Sequence, residues 1–402
     1  MKTPGAMALI LHDRDLRLAS VLMMLQGAFA CTLGPYLSVL AVRDFGLGDS
    51  GYAVLMLVAS VLSVAAALAA GIRADQTANR RSFALWACGL MVAGSAVMTL
   101  APGAAALVLA HALILPLSTL YGQLFAQARL AAQRHNRATR DGIMATIRAL
   151  FALPYVVVLP LWSLAFERGA DLLNIYPVAL ALALAMLALT ARFWPGAAAV
   201  AWEDRPSGLS LRQALAELAT PGLALRIASL GALSAGGTAY WAIMGLSLVQ
   251  PGGSGKDVAA LYAGLVAGLE VPLMMALPLI LPRFKRTHLI LAGTTIYTAQ
   301  LLGIPLLAGT PFLWLCLIPG ALGGAVIFTL PIAYLQDALG HRPGTGAALM
   351  ALMKVGSDAV AALTFALGTA LSGYLLAAVL ASVVSVAGAA VLVWVDRGKV
   401  GR

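Results

Sequence analysis

Apolar residues fill this chain in long runs, broken by short polar or turn-forming segments. A helix that crosses a bilayer needs about 20 predominantly apolar residues. Runs of that size fall at 16–42, 51–72, 82–101, 104–127, 142–166, 174–194, 222–248, 258–281, 288–308, 311–335, 345–368 and 370–395. Most separators carry residues that stop helices: Gly46 to Gly51, Ala101-Pro102-Gly103, Gly169 to Asn174, Pro251-Gly252-Gly253, and Gly309 to Pro311. The least marked break lies between Gly368 and Gly373, where almost nothing polar intervenes. The pattern predicts an all-α, polytopic membrane protein with twelve transmembrane helices.

One polar segment is longer than the rest. Residues 195–221 contain Trp202-Glu203-Asp204-Arg205-Pro206-Ser207-Gly208, and Ser207 or Ser210 is placed to cap a short amphipathic helix running through Glu217. This linker divides the chain into 1–194 and 222–402, each with six apolar runs. The halves echo one another. The basic turn at Arg73–Arg81 reappears at Arg283–Arg286, and the loop at Arg129–Arg140 reappears at Gln336–Arg342. Parallel repeats of this kind predict two pseudo-symmetric six-helix bundles related by an axis along the membrane normal.

Composition agrees with lipid as the solvent. Of the 402 residues, 61% are hydrophobic and 10% charged, against about 25% charged in soluble domains. The net charge of +10 would suggest nucleic acid in a soluble protein. Its placement points instead to membrane topology. With the N-terminus in the cytoplasm, all but six of the 26 Lys and Arg residues fall on the cytoplasmic side. Outer loops hold Arg43, Arg168 and Lys256, and Arg148, Arg226 and Lys354 lie in or beside spans. Such a bias predicts a multi-pass protein of a bacterial inner membrane with both termini cytoplasmic. The run from Leu18 to Val42 is longer than a signal-peptide core, so it reads as the first span. Cys31, Cys88 and Cys316 sit inside apolar runs without a CxxC pair, which argues against disulfides and zinc.

Ionisable groups within spans are the most informative residues, because each is expensive to place in hydrocarbon. Glu270 lies in the middle of span eight, in Gly268-Leu-Glu270-Val-Pro272, too deep to reach the surface. Lys354 and Asp358 are four apart on span eleven and share a helical face. They read either as a static ion pair or as partners of a moving proton. Arg148 lies about two turns into span five, where it either snorkels to the surface or faces a cavity. Polar and aromatic side chains that could line a solute site are Gln26, Tyr36, His111, Gln123, Tyr240, Trp241, Gln300 and Gln336. Each could instead be an interhelical hydrogen bond. Gly264 with Gly268, and Gly320 with Gly324, have the GxxxG spacing of close helix packing.

Between spans two and three stands Gly71-Ile-Arg-Ala-Asp75-Gln-Thr-Ala-Asn-Arg80-Arg81. Glycine allows a tight turn to approach its neighbours, and Asp75 with Arg80 and Arg81 could close the inner side in one state. Gly48-Asp-Ser50-Gly51-Tyr52 departs from the GxSxG nucleophile turn, and Gly255-Lys256-Asp257 lacks the residues of a P-loop. No enzyme activity, cofactor or metal is expected from these motifs.

The Gly-Ala-Asp-Arg loop resembles the gating loop of the major facilitator superfamily. Gln123-Leu-Phe-Ala-Gln-Ala-Arg129, Ile147-Arg148-Ala149, Gly268-Leu-Glu270-Val-Pro272, and Gln336-Asp337 with Gly346-Ala-Ala resemble the sugar efflux transporter family within it. The resemblance implies a proton-coupled exporter of sugars, glycosides or related small polar solutes. It makes Arg148 and Glu270 candidates for coupling or solute contact, and Tyr240 part of the cavity wall. Leu159-Pro160 replaces the Gly-Pro often found late in span five of facilitator exporters, and Lys354 and Asp358 stand where uncharged polar residues are expected. The expected partners are a small-molecule substrate, protons and the lipid bilayer, with no nucleic acid, and the expected state is a monomer. A multidrug or amphiphile exporter is the rival within transport. A non-transporting membrane sensor or assembly factor is the rival from another class.

Overall fold

The structure is a computed structural model. It describes residues 6–77, 79–195, 221–280, 283–339 and 343–397. Twelve helical segments are long and apolar enough to cross a membrane: α1 (Arg14–Asp44), α2 (Gly48–Gly71), α3 (Arg80–Leu100), α4 (Ala104–Arg134), α5 (Thr139–Glu167), α6 (Leu172–Phe193), α7 (Gly222–Val249), α8 (Lys256–Leu277), α9 (Arg286–Leu307), α10 (Pro311–Ile332), α11 (Met350–Leu371) and α12 (Tyr374–Asp396). There is no strand among the described residues. In lipid every backbone polar group must be satisfied by the protein itself, and these helices do so within each segment. The chain is a multi-pass membrane protein, and each apolar run of the sequence becomes one helix. The linker helix expected before Glu217 lies outside the described residues.

Helix ends follow local chemistry. Asp13 accepts from the amides of Asp15 (2.9 Å) and Leu16 (3.1 Å) and so starts α1. Asn79 does the same for α3 through the amide of Ser82. The faint break between the last two spans is real. Gly373 has φ +115°, a conformation that side chains rarely adopt, and α12 begins at the next residue.

Two spans in the first half of the sequence are broken internally, each around a proline. In α1 the regular helix Arg14–Leu33 gives way to a tight turn at Gly34–Tyr36 and a wide one at Leu40–Asp44. Pro35 offers no amide hydrogen and blocks continuation of the ladder. In α4 the chain passes through a wide turn at Leu109–Ile114 and a tight one at Leu115–Leu117, which contains Pro116. Ser118 is then extended, and a regular helix restarts at Leu120–Ala131.

The chain divides into two compact units. One comprises Met1–Leu33, Ala65–Leu159 and Asp171–Gly208, and the other Gly34–Val64, Pro160–Ala170 and Leu209–Arg402. These units differ from the sequence halves 1–194 and 222–402. The end of α1, α2 as far as Val64 and the end of α5 belong with α7–α12. The division in α1 coincides with the break that Pro35 imposes. Small residues bring helices of the second unit together: Gly231 lies on Gly356, and Gly388 lies on Ala232 and the carbonyl of Ser229. Its apolar core includes Leu230, Leu233, Ile290, Leu335 and Leu392. In the first unit, Gly27 of α1 rests on the Phe151 carbonyl and Pro154 of α5.

Candidate functional site

Glu270 occupies a seat built by three other helices. On α10, Gly320, Gly323 and Gly324 form one small-residue face. A methyl group on Gly324 would collide with Glu270 Oε1, one on Gly323 would meet Tyr297 at 2.6 Å, and one on Gly320 would collide with the Gln300 amide. The glycine spacing therefore does more than bring backbones together: Gly324 seats a carboxylate and Gly320 an amide, while Gly323 lies on the backbone of Tyr297. Tyr240 of α7 and Tyr297 of α9 are close enough to Glu270 for its charge to act on them. The two rings meet each other at 6.2 Å, and Tyr240 meets Trp241 at 5.1 Å. Glu270 has no hydrogen bond or salt bridge among the described residues. The Tyr240 hydroxyl likewise has no hydrogen-bond partner among them. A carboxylate with neither a cation nor a donor inside a membrane span is high in energy when charged, and it invites a proton or a polar ligand.

Asp358 is in the opposite condition. Its Oδ2 accepts from Ser60 of α2 at 2.5 Å and from the Lys354 ammonium, and its Oδ1 accepts from Thr238 of α7 at 3.2 Å. Thr238 also pairs with Ser357 at 3.0 Å. Asp358 is 4% exposed, whereas the Lys354 side chain is 62% exposed. Thr238 and Tyr240 are two residues apart, hence about 200° apart around α7, so this helix carries one face to each acidic site.

Beyond Asp358, the second unit is knit together at the end that carries the α1–α2, α5–α6, α7–α8 and α11–α12 connections. Tyr52 of α2 packs edge-on against Phe365 of α11 at 5.8 Å, and Phe365 stacks on Tyr374 of α12. The Tyr374 hydroxyl donates to Asp49 at 3.3 Å and accepts from Arg43 at 3.4 Å. Lys256 of α8 donates to the Ala170 carbonyl at 2.7 Å and lies over the ring of Phe166. Tyr36 meets Phe166 edge-on at 5.4 Å. Gly245 of α7 leaves room only for a hydrogen, because a methyl there would lie 2.8 Å from Ser38 Oγ and 3.0 Å from the Pro35 carbonyl. Two of the three basic residues that the sequence places in outer loops, Arg43 and Lys256, are thus engaged in this closure.

The first unit holds Arg148 in a different setting. Its guanidinium is exposed and lies 5.4 Å over the ring of Phe125, with no carboxylate partner among the described residues. Phe125, Tyr121, Phe151 and Tyr155 form a chain of ring contacts beside it. Gln123 and Gln127 follow the α4 break on the same face as each other, and both are buried with one amide atom lacking a partner among the described residues. Gln26 Oε1 on α1 is in the same state. His111 is held by the Tyr176 hydroxyl at 3.0 Å, in the wide turn of α4.

The structure therefore sorts the candidate residues. Tyr240 of α7 lies beside both Glu270 and Trp241, and Lys354 and Asp358 come together on α11. Gln300 is fully buried and donates to Tyr262 at 3.1 Å, and Tyr36 belongs to the closed end. The side chains of Gln336 and Asp75 lie outside the described residues. Gly71 stands within the helix Gly48–Thr77, not in a turn, and a methyl there would meet open space. Arg81 donates to the Ala191 carbonyl at 2.8 Å, at the last turn of α6. Arg80 begins α3. Three partners escaped the sequence reading: Ser60, Thr238 and Tyr297. A lone hydroxyl in an apolar helix carries no spacing signal. Arg226 pairs with Asp396 at 3.0 Å and with Tyr334, a closed set away from both acidic sites.

No protein-family signature and no curated protein matches the sequence. Solved structures do match the fold. A point mutant of the nucleoside transporter NupG superposes with a TM-score of 0.76 at 13% identity, over 96% of this chain and 100% of that one. A point mutant of the peptide transporter POT, solved with sulfate, gives 0.75 at 11% identity over 96% of each chain. The D-xylose-proton symporter gives 0.71 at 13% identity, over 94% of this chain and 96% of that one. At such identities the likeness is one of architecture: the chain shares its twelve-helix fold with these three transporters.

Proposed function

We propose that the chain is a secondary active transporter that moves a small polar solute by alternating access, exporting it in exchange for protons. The observation that carries this reading is Glu270: a carboxylate in the middle of α8, seated against Gly324, with no hydrogen bond or salt bridge among the described residues. An ionised form there calls for water or a cation, and a neutral form does not. Two protonation states therefore favour two arrangements of α7–α10, which is the differential interaction a coupled carrier requires. The fold shared with nucleoside, xylose and peptide carriers supports the reading, as does the charge bias, which favours cytoplasmic termini in a bacterial inner membrane. The resemblance of the span eight run to sugar efflux transporters favours sugars, glycosides and related solutes. Tyr240, Trp241 and Tyr297 supply ring faces and hydroxyls of the kind that hold them.

The closure around Asp358, Tyr374 and Lys256 fits one end state of the cycle, with the outer ends of the spans shut. The test is transport by the purified chain in proteoliposomes. An imposed pH gradient is expected to drive labelled solute against its concentration gradient, and dissipating the gradient is expected to stop it. Absence of flux for every solute tested, with a membrane partner that copurifies, contradicts the reading and favours a sensor or assembly role.

A further inference from the structure

Lys354 stands on a helical face that settles where its ammonium points. Lys354, Asp358, Ala361 and Phe365 recur at intervals of four, three and four residues, so they form one stripe on α11. Asp358 is 4% exposed, and Ala361 and Phe365 are fully buried. Leu352 and Leu363, exposed at 37% and 60%, lie about 160–180° away around the helix. Those leucines form the lipid stripe. Lys354 is exposed on the opposite side, the one that packs on α2 and α7, one turn from the point where Ser60 and Thr238 cover Asp358. An ammonium in the first turns of a span that avoids the lipid stripe faces water or a polar ligand.

The hydrogen-bond inventory of the pair is lopsided. The Asp358 carboxylate already serves three donors. The Lys354 ammonium has three N–H groups, and Asp358 is its only carboxylate partner among the described residues. The ion pair is therefore a dipole with its negative end buried and saturated and its positive end open. A neutral solute gains little there. An anionic group gains charge-assisted hydrogen bonds to the free N–H groups, while Ser60 and Thr238 keep Asp358 solvated.

We propose that Lys354 is a recognition site for an anionic group, a carboxylate or a phosphate, on the transported solute. The proposal rests on the reading of the chain as a solute carrier and narrows its substrate class from polar solutes to acidic ones. Asp358, Ser60 and Thr238 are positioning residues: they hold the ammonium toward the open side.

The test uses the full chain in nanodiscs and matched pairs of probes: D-glucose against D-glucuronate and D-glucose 6-phosphate, and uridine against uridine monophosphate. Binding is read by intrinsic tryptophan fluorescence. The expected result is that at least one acidic member binds about tenfold or more tightly than its neutral partner. Lys354→Gln is expected to erase that difference, and Lys354→Arg to keep it. The glucuronate and phosphate arms identify the anionic group. Equal affinities within every pair, no binding of any acidic member, or an unchanged preference in Lys354→Gln overturns the proposal. Counterflow on the same protein separates the two readings. Flux of neutral solutes only overturns the anion site and leaves the carrier intact. An intact acidic preference in binding without flux of any solute supports the anion site and overturns the carrier.

Discussion

The Ser60 hydroxyl of α2 donates to the Asp358 carboxylate of α11 at 2.5 Å. This bond ties the first half of the sequence to the second inside the membrane-spanning region. Hydrogen bonds to charged groups contribute about 1.5–3 kcal/mol. Ser60→Ala is therefore expected to lower the thermal midpoint of the purified protein and to loosen this end of the second unit. Differential scanning fluorimetry checks the first effect. An unchanged midpoint would show that the bond contributes nothing to the folded state.

The pairing of Lys354 with Asp358 has a non-additive signature. Removing one partner of a buried pair leaves the other uncompensated, at a cost of about 3–5 kcal/mol when both are buried. The Lys354 side chain is 62% exposed, so its loss is expected to cost less than that range. Lys354→Gln alone is expected to destabilise, and Lys354→Gln with Asp358→Asn to recover part of the loss. Additive midpoints in the double-mutant cycle would show that the two residues do not interact.

Gly324 has no room for a side chain because Glu270 Oε1 occupies the space. Gly324→Ala is expected to destabilise by about 1–3 kcal/mol, the range for overpacking. Glu270→Asp, shorter by one methylene, is expected to relieve part of that loss in the double variant. Full stability of Gly324→Ala alone would show that Glu270 does not sit against α10.

Gly245 plays the same part at the closed end, against Ser38 and Pro35. Gly245→Val is expected to hold this end open. Ser38, buried on α1 against Gly245, serves as a reporter when replaced by cysteine in a background without Cys31, Cys88 and Cys316. Labelling by a membrane-impermeant maleimide is expected to be slow in the reporter alone and faster with Gly245→Val. Equal rates would contradict the close approach of α1 and α7.

Much of the fold was legible in the sequence because lipid imposes a length on every apolar run. Even the weak break before Gly373 was visible, since a glycine at φ +115° marks a point where a helix cannot continue. The ionisable residues Glu270, Lys354 and Asp358 stood out for the same reason: hydrocarbon makes each of them costly. Their partners did not. Helical spacing tells which residues share a face with Asp358, but not that Ser60, about 300 positions earlier, meets it. Nor did the pattern reveal that Pro35 marks the point where α1 passes from one compact unit to the other. The glycines at 320 and 324 read as generic helix contacts, and only the structure shows that Glu270 and Gln300 fill the space they leave.

Glu270 carries the central claim, and proteoliposomes with Glu270→Gln test it most directly. Gln keeps the shape and polarity of the seat but cannot exchange a proton. The account predicts that Glu270→Gln retains solute exchange down equal gradients and loses accumulation driven by a pH gradient. Unchanged proton-driven accumulation in Glu270→Gln would contradict it.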